Sequence, residues 1–154
     1  MIVVEVHDEA ATAHFAARIA RLAQPGDIIA LQGDLGAGKT TFARAFIRAY
    51  DNGQEEVPSP TFTLVQIYEV GSAPVWHFDL YRLRTPGDAW ELGIEDAFAA
   101  GISLIEWPER LGALLPDRRL EITFEFADRP STRRVSLDPG KGWQTRLAAM
   151  AANA

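Results

Sequence analysis

The stretch Gly33-Asp34-Leu35-Gly36-Ala37-Gly38-Lys39-Thr40 matches the pattern G-x-x-x-x-G-K-[ST]. Each residue type has a chemical reason to stand where it does. Glycines admit the backbone conformations that turn successive N–H groups toward one point, where they hold phosphate oxygens. A helix starting directly after the loop adds its unpaired N–H groups and the positive end of its dipole. Lys39 can then reach the β- and γ-phosphates of a nucleotide, and the Thr40 hydroxyl can ligate Mg²⁺. From average residue frequencies, chance supplies this pattern about 0.005 times in a chain of this length. The motif is read as a nucleotide-binding P-loop, and by itself it does not separate ATP from GTP.

Such loops commonly share Mg²⁺ with an acid at the end of a neighbouring buried strand. Two acids qualify. Asp79 ends Val75-Trp76-His77-Phe78, and Glu106 ends Ile102-Ser103-Leu104-Ile105. Residue type and spacing do not rank them: one could hold the metal, directly or through water, while the other orients the attacking water, and either could simply cap a turn. Ser59-Pro60-Thr61-Phe62-Thr63 offers hydroxyls on a proline-stiffened loop that could approach the γ-phosphate, or it opens a strand. His77 shares a strand face with Val75 and Asp79 and reads as a packed or supporting histidine rather than a base. Trp107, next to Glu106, can line the site, whereas Trp76, Trp90 and Trp143 read as core or interface. Arg118, Arg119, Arg129, Arg133 and Arg134 are the basic clusters. They suit solvated hairpin edges, with Arg134 the one expected to reach a nucleotide.

These residues need elements to position them. Ile2 to Val6 reads as a strand, and Asp8 caps a helix that carries Thr12, Phe15, Ala16, Ile19 and Leu22 on one face. Asp27 to Gln32 is a nearly continuous apolar run, the mark of a buried strand in a parallel sheet. A helix follows from Thr41 to Tyr50, then strands from Thr61 to Tyr68 and from Val75 to Leu80. Pro86 to Ala100 reads as helical and leads into the short buried strand Ile102 to Glu106. Leu120 to Phe126 and Arg134 to Leu137 form a hairpin, and Trp143 to Met150 a closing helix. The pattern predicts an α/β fold: a P-loop NTPase-like sheet with a mostly parallel core, added antiparallel strands and flanking helices. Residues 1–154 fit a single domain, with 151–154 fraying.

Composition narrows the function. The chain holds 15 Lys+Arg and 21 Asp+Glu, a formal net charge of −6, so it lacks the positive face that autonomous nucleic-acid binding needs. With no cysteine, thiolate metal sites, disulfides and cysteine nucleophiles are excluded. Apolar runs are far shorter than the ~20 residues of a membrane span, and the N-terminus does not read as a signal peptide, so a cytoplasmic protein with no membrane role is expected.

Four blocks in order carry a family resemblance: Gly33 to Thr41, Ser59-Pro60-Thr61-Phe62-Thr63-Leu64-Val65, His77-Phe78-Asp79-Leu80-Tyr81-Arg82-Leu83 and Leu104-Ile105-Glu106-Trp107-Pro108-Glu109. Together they resemble the TsaE family of bacterial tRNA threonylcarbamoyladenosine biosynthesis ATPases, from about Asp8 to Leu137. The resemblance implies an ATPase that acts with TsaD and TsaB, meets tRNA only through that complex, and turns ATP into ADP to reset it. Gly36, Ala37, Gly38, Lys39, Thr40 and Thr41 would be the phosphate cradle, with Thr40 and Glu106 the Mg²⁺ ligands. Asp79 would support the site or position water, Lys39 would serve catalysis as well as binding, and the Ser59 to Thr63 block would sense the nucleotide. The alternative is a small-molecule kinase on the same scaffold, although no insertion long enough for a phosphate-covering lid is evident. A GTPase switch would carry an Asn-Lys-x-Asp motif, which is absent.

Overall fold

In chain order the elements are β1 (Ile2–Val6), α1 (Glu9–Leu22), β2 (Ile28–Gly33), α2 (Lys39–Tyr50), β3 (Val65–Tyr68), β4 (Val75–Asp79), α3 (Ile94–Ala100), β5 (Ile102–Glu106), β6 (Leu120–Phe126), β7 (Arg133–Asp138) and α4 (Gln144–Ala152). Two 3₁₀ segments, Pro86–Leu92 and Pro108–Leu114, flank α3 and β5. The structure, a computed structural model, describes residues 1–51 and 64–152.

The strands of the described residues join one sheet in the order β1-β7-β6-β2-β5-β4-β3. The four central strands β6, β2, β5 and β4 run parallel, while β1, β7 and β3 add antiparallel edges. This is the expected fold class. β2 lies in the middle because it is apolar on both faces: Ile29 and Leu31 enter one core, Ile28 the other. A strand buried on both sides needs helices over both. One face is covered by α1, α2 and α4 through Phe15, Ile19, Phe42, Phe46, Trp143 and Leu147. The other is covered by the 3₁₀ segments and α3 through Ala89, Ile94, Ala97 and Leu111.

Local chemistry sets the boundaries. Asp8 accepts from the Ala11 N–H at 2.8 Å and caps α1 as expected. The helix expected over Pro86 to Ala100 is interrupted at Gly93, whose φ of 87° ends the 3₁₀ segment and starts α3. An added Cβ there would meet the Trp76 ring at 3.1 Å, so the bare glycine also lets Trp76 pack. The expected strand to Leu80 stops at Asp79, because the chain then bends and the Leu80 N–H bonds the Glu106 carbonyl at 3.1 Å. Of the strand expected from Thr61, the part from Val65 onward is seen. Ser59 to Thr63 lies outside the described residues.

A bidentate ion pair ties α4 to the rest. Arg146 donates to the two oxygens of Asp27 at 2.6 and 3.0 Å, and its guanidinium lies 4.0 Å from the centre of the Trp143 ring. Asp27 is buried.

Candidate nucleotide site

β2 ends at Gly33, where φ is 146° and an added Cβ would stand 2.6 Å from the Phe124 carbonyl oxygen. Only a residue without a side chain lets the loop leave the sheet there. The loop tightens through an Ala37 N–H bond to the Asp34 carbonyl at 3.0 Å, and Gly36 and Gly38 take φ values of 79° and 117°. α2 begins directly after Gly38 with no side chain capping it, and Thr40 and Thr41 line the adjoining cleft. The first-turn N–H groups of a helix are the ones an anion can bind.

Lys39 is only 4% exposed. Its ammonium donates to the Gly33 carbonyl and lies 3.3 Å from the centre of the Trp107 ring. Burial lowers its pKa from the ordinary value, while the charges of Glu106, Glu109, Asp79 and Asp34 act in the opposite sense. Those acids keep a poorly hydrated cation beside the glycine loop.

The two sequence-predicted acids stand next to each other. In the parallel register Asp79 pairs with Glu106 across β4 and β5, and Glu106 with Leu31 across β5 and β2. Both occupy the carboxyl ends of parallel strands, where open α/β sheets bind ligands. Glu106 is almost wholly buried, and both of its oxygens are engaged. The Thr40 hydroxyl donates to Oε1 at 2.7 Å, and His77 Nε2 lies 2.6 Å from Oε2. His77 is itself fully buried, and its Nδ1 has no partner among the described residues. A carboxylate offers acceptors only, so the imidazole proton belongs on Nε2. His77 therefore supports Glu106.

Asp79 is less enclosed. Its Oδ1 accepts the Tyr81 N–H at 3.2 Å. Burial raises its pKa above the ordinary aspartate value, and the neighbouring Glu106 charge raises it further; the Tyr81 bond, His77 and Lys39 pull the other way.

Lys39, Thr40, Thr41, Asp79 and Glu106 line a cleft of about 410 Å³, together with Gly36, Gly38, Leu35, Leu64, Tyr81, Arg82 and Trp107. That size suits a nucleotide-class ligand. Trp107 adopts φ 59°, rare for a bulky residue, which holds its ring under Lys39 and 5.0 Å from the Tyr81 ring. The donor set also fits Mg²⁺. Thr40, Asp79 and Glu106 offer hard oxygens, and among the described residues no group of three or more His, Cys, Asp or Glu could hold a metal unaided. A cation that binds through one or two protein oxygens plus phosphate oxygens matches this.

Two placements differ from the sequence expectation. Arg134 is not brought to the cleft: it is exposed, with Glu5 and Glu125 as its cross-strand register partners. Its neighbour Arg133 instead reaches the loop, donating to the Ala37 carbonyl at 3.2 Å. The period of a strand decides this, since Arg133 shares the face of Val135 and Leu137, which enter the α2-side core. That parity is the signal the sequence carries for the pair. Tyr81 and Leu35 also line the cleft, and both lie within the sequence blocks that carry the family resemblance.

A glycine loop that leads from a central parallel strand into a helix, with an acid on the adjacent strand, defines a P-loop nucleotide-binding protein. Within that class, a family model described as "Threonylcarbamoyl adenosine biosynthesis protein TsaE" matches residues 6–135. The chain belongs to the TsaE family. A "tRNA threonylcarbamoyladenosine biosynthesis protein TsaE" of Rickettsia bellii is 38% identical over 123 residues, covering 80% of this chain and 85% of that protein. The protein of the same name from Bacillus subtilis is 39% identical over 109 residues, covering 70% of this chain and 67% of its own length. A solved structure described as "Crystal structure of Bacillus subtilus YdiB" superposes with a TM-score of 0.82 at 28% identity, covering 99% of this chain and 95% of that one.

Proposed function

We propose that this chain is the ATP-binding and ATP-hydrolysing subunit of the machinery that places a threonylcarbamoyl group on adenosine 37 of tRNA. In this reading it works in the cytoplasm as a single P-loop domain, acts with TsaD and TsaB, and meets tRNA only through them. Turnover of ATP to ADP resets the complex and leaves the group transfer to the partners. The observation that carries the ATPase reading is the Thr40–Glu106–His77 chain, with bonds of 2.7 and 2.6 Å at the mouth of the glycine loop. The family name supports this role over a small-molecule kinase.

The residues divide the work. Gly36 to Thr41 bind the phosphates through backbone N–H groups, and Lys39 adds a positive charge that neutralises them. Thr40 and Glu106 would hold Mg²⁺, which supplies charge neutralisation on the phosphate oxygens when bound. Asp79, beside Glu106 but more open, orients the attacking water. His77 fixes the Glu106 carboxylate from behind by bonding the oxygen that Thr40 does not use. The chain's charge of −6 suits a subunit that leaves RNA binding to a partner.

The test is depletion of this protein from its source cells, followed by nucleoside analysis of their tRNA. Loss of threonylcarbamoyladenosine is expected. An unchanged level removes the assignment, and phosphoryl transfer from ATP to a metabolite by the purified chain would restore the kinase reading.

A further inference from the structure

Arg133 uses its guanidinium to join two loops. Nε donates to the Ala37 carbonyl at 3.2 Å, and Nη2 lies at the outer limit of a bond, 3.5 Å, from the Gly36 carbonyl. On the other side Nη1 donates to the carbonyls of Pro130 and Thr132 at 2.7 and 3.1 Å. The plane also lies 4.6 Å from the centre of the Phe126 ring. The group is thus held by the β6–β7 turn, which closes on itself through the Thr132 N–H to Arg129 carbonyl bond at 3.1 Å.

Ala37 is completely buried, so its carbonyl needs a partner. The peptide that follows is planar and trans, so its carbonyl and its N–H point in opposite directions. That N–H belongs to Gly38, which lines the cleft. Anchoring the Ala37 carbonyl on one side therefore aims the Gly38 N–H to the other. Flanking glycines make the restraint necessary. Gly36 and Gly38 sit at φ 79° and 117°, conformations from which a glycine peptide rotates at little cost, and among the described residues nothing lies within 4 Å of a Cβ added at Gly36.

We propose that Arg133 is a positioning residue of the phosphate loop. Its planar fork fixes the peptide between Ala37 and Gly38 so that the Gly38 N–H faces the bound phosphate. A lysine would keep the charge and lose the fork. The inference rests on the reading of this loop as a nucleotide site.

The experiment compares ADP binding by calorimetry with the amide proton shift of Gly38 in ¹⁵N-labelled protein, for wild type, Arg133→Met, Arg133→Lys and Arg129→Met. Arg129 sits exposed in the same turn, so its substitution removes the same charge without touching the loop. In wild type, ADP is expected to move the Gly38 amide proton downfield, the mark of a charge-assisted bond. Arg133→Met should weaken ADP about tenfold, the factor for one such bond lost, and shrink that shift. Arg133→Lys should lie closer to Arg133→Met than to wild type, and Arg129→Met should bind within about twofold of wild type. If Arg133→Met does not fold, Arg133→Lys carries the comparison. Wild-type affinity and an intact Gly38 shift in the Arg133 variants overturn the inference, as does an equal loss in Arg129→Met. Wild-type protein that binds no ADP overturns the nucleotide reading itself.

Discussion

Asp79 and Glu106 are register partners on adjacent parallel strands, 27 positions apart in the chain and side by side at the mouth of one cleft. The closeness has a measurable consequence. Burial, and then the Glu106 charge, holds the Asp79 pKa above its ordinary 3.8. A folded pKa above the unfolded one means that the folded state binds the proton more tightly. The associated stability is complete below about pH 3.8 and is lost as pH rises through the raised value. Asp79→Asn removes the repulsion and keeps the acceptor for the Tyr81 N–H. It should raise Tm at pH 7 by about 1–4 °C, the scale of a screened charge pair, with the gain shrinking as pH falls. Thermal scans across pH check this, and a lower Tm at pH 7 would contradict it.

Glu106→Ala strips Thr40 and His77 of their shared partner. Mg²⁺-dependent hydrolysis should fall by at least about 100-fold, while ADP binding in EDTA stays within about threefold. The orphaned His77 N–H, fully buried, should also cost about 1–3 kcal/mol of stability by urea titration. Normal hydrolysis in this variant combined with its loss in Asp79→Ala would reverse the two roles.

Lys39 lies against the Trp107 ring, so a nucleotide that draws the ammonium toward its phosphates should change tryptophan emission. Titration of wild type with ADP should show this change, and Trp107→Phe should remove it even though Trp76, Trp90 and Trp143 remain. Lys39→Ala should weaken ADP by about 10–100-fold, because a charge-assisted contact to phosphate is lost. A full emission change in Trp107→Phe would refute the assignment.

Arg146→Met would leave the buried Asp27 carboxylate without its bidentate partner. The pair is partly solvated at the Arg146 end, so a loss of about 2–3 kcal/mol is expected, below the full cost of breaking a wholly buried pair. Hydrogen exchange should locate the loosening in α4. A variant as stable as wild type would show that the ion pair adds nothing to the apolar packing of Trp143, Leu147 and Met150.

Legibility in the sequence followed the range of the forces involved. The glycine loop, the Asp8 cap and the helix end at Tyr50 are local and readable, because their chemistry is complete within a few residues. Gly93 is harder to read, since a helix-compatible stretch gives way there to the packing of Trp76, a residue of β4. Arg133 and Arg134 are adjacent and chemically alike, and only strand parity and the path of the β6–β7 turn distinguish them.

The sequence by itself determined the phosphate loop, the α/β class, both candidate acids and the family to which the four blocks point. It could do so because backbone freedom, charge type and hydrophobic period are properties of short segments. Only the tertiary structure decided which oxygen of Glu106 meets Thr40 and which meets His77, that Lys39 rests on Trp107, and that Arg133 holds the Ala37 carbonyl. Those contacts join residues dozens of positions apart, and they follow from sheet order and register, which no local pattern encodes.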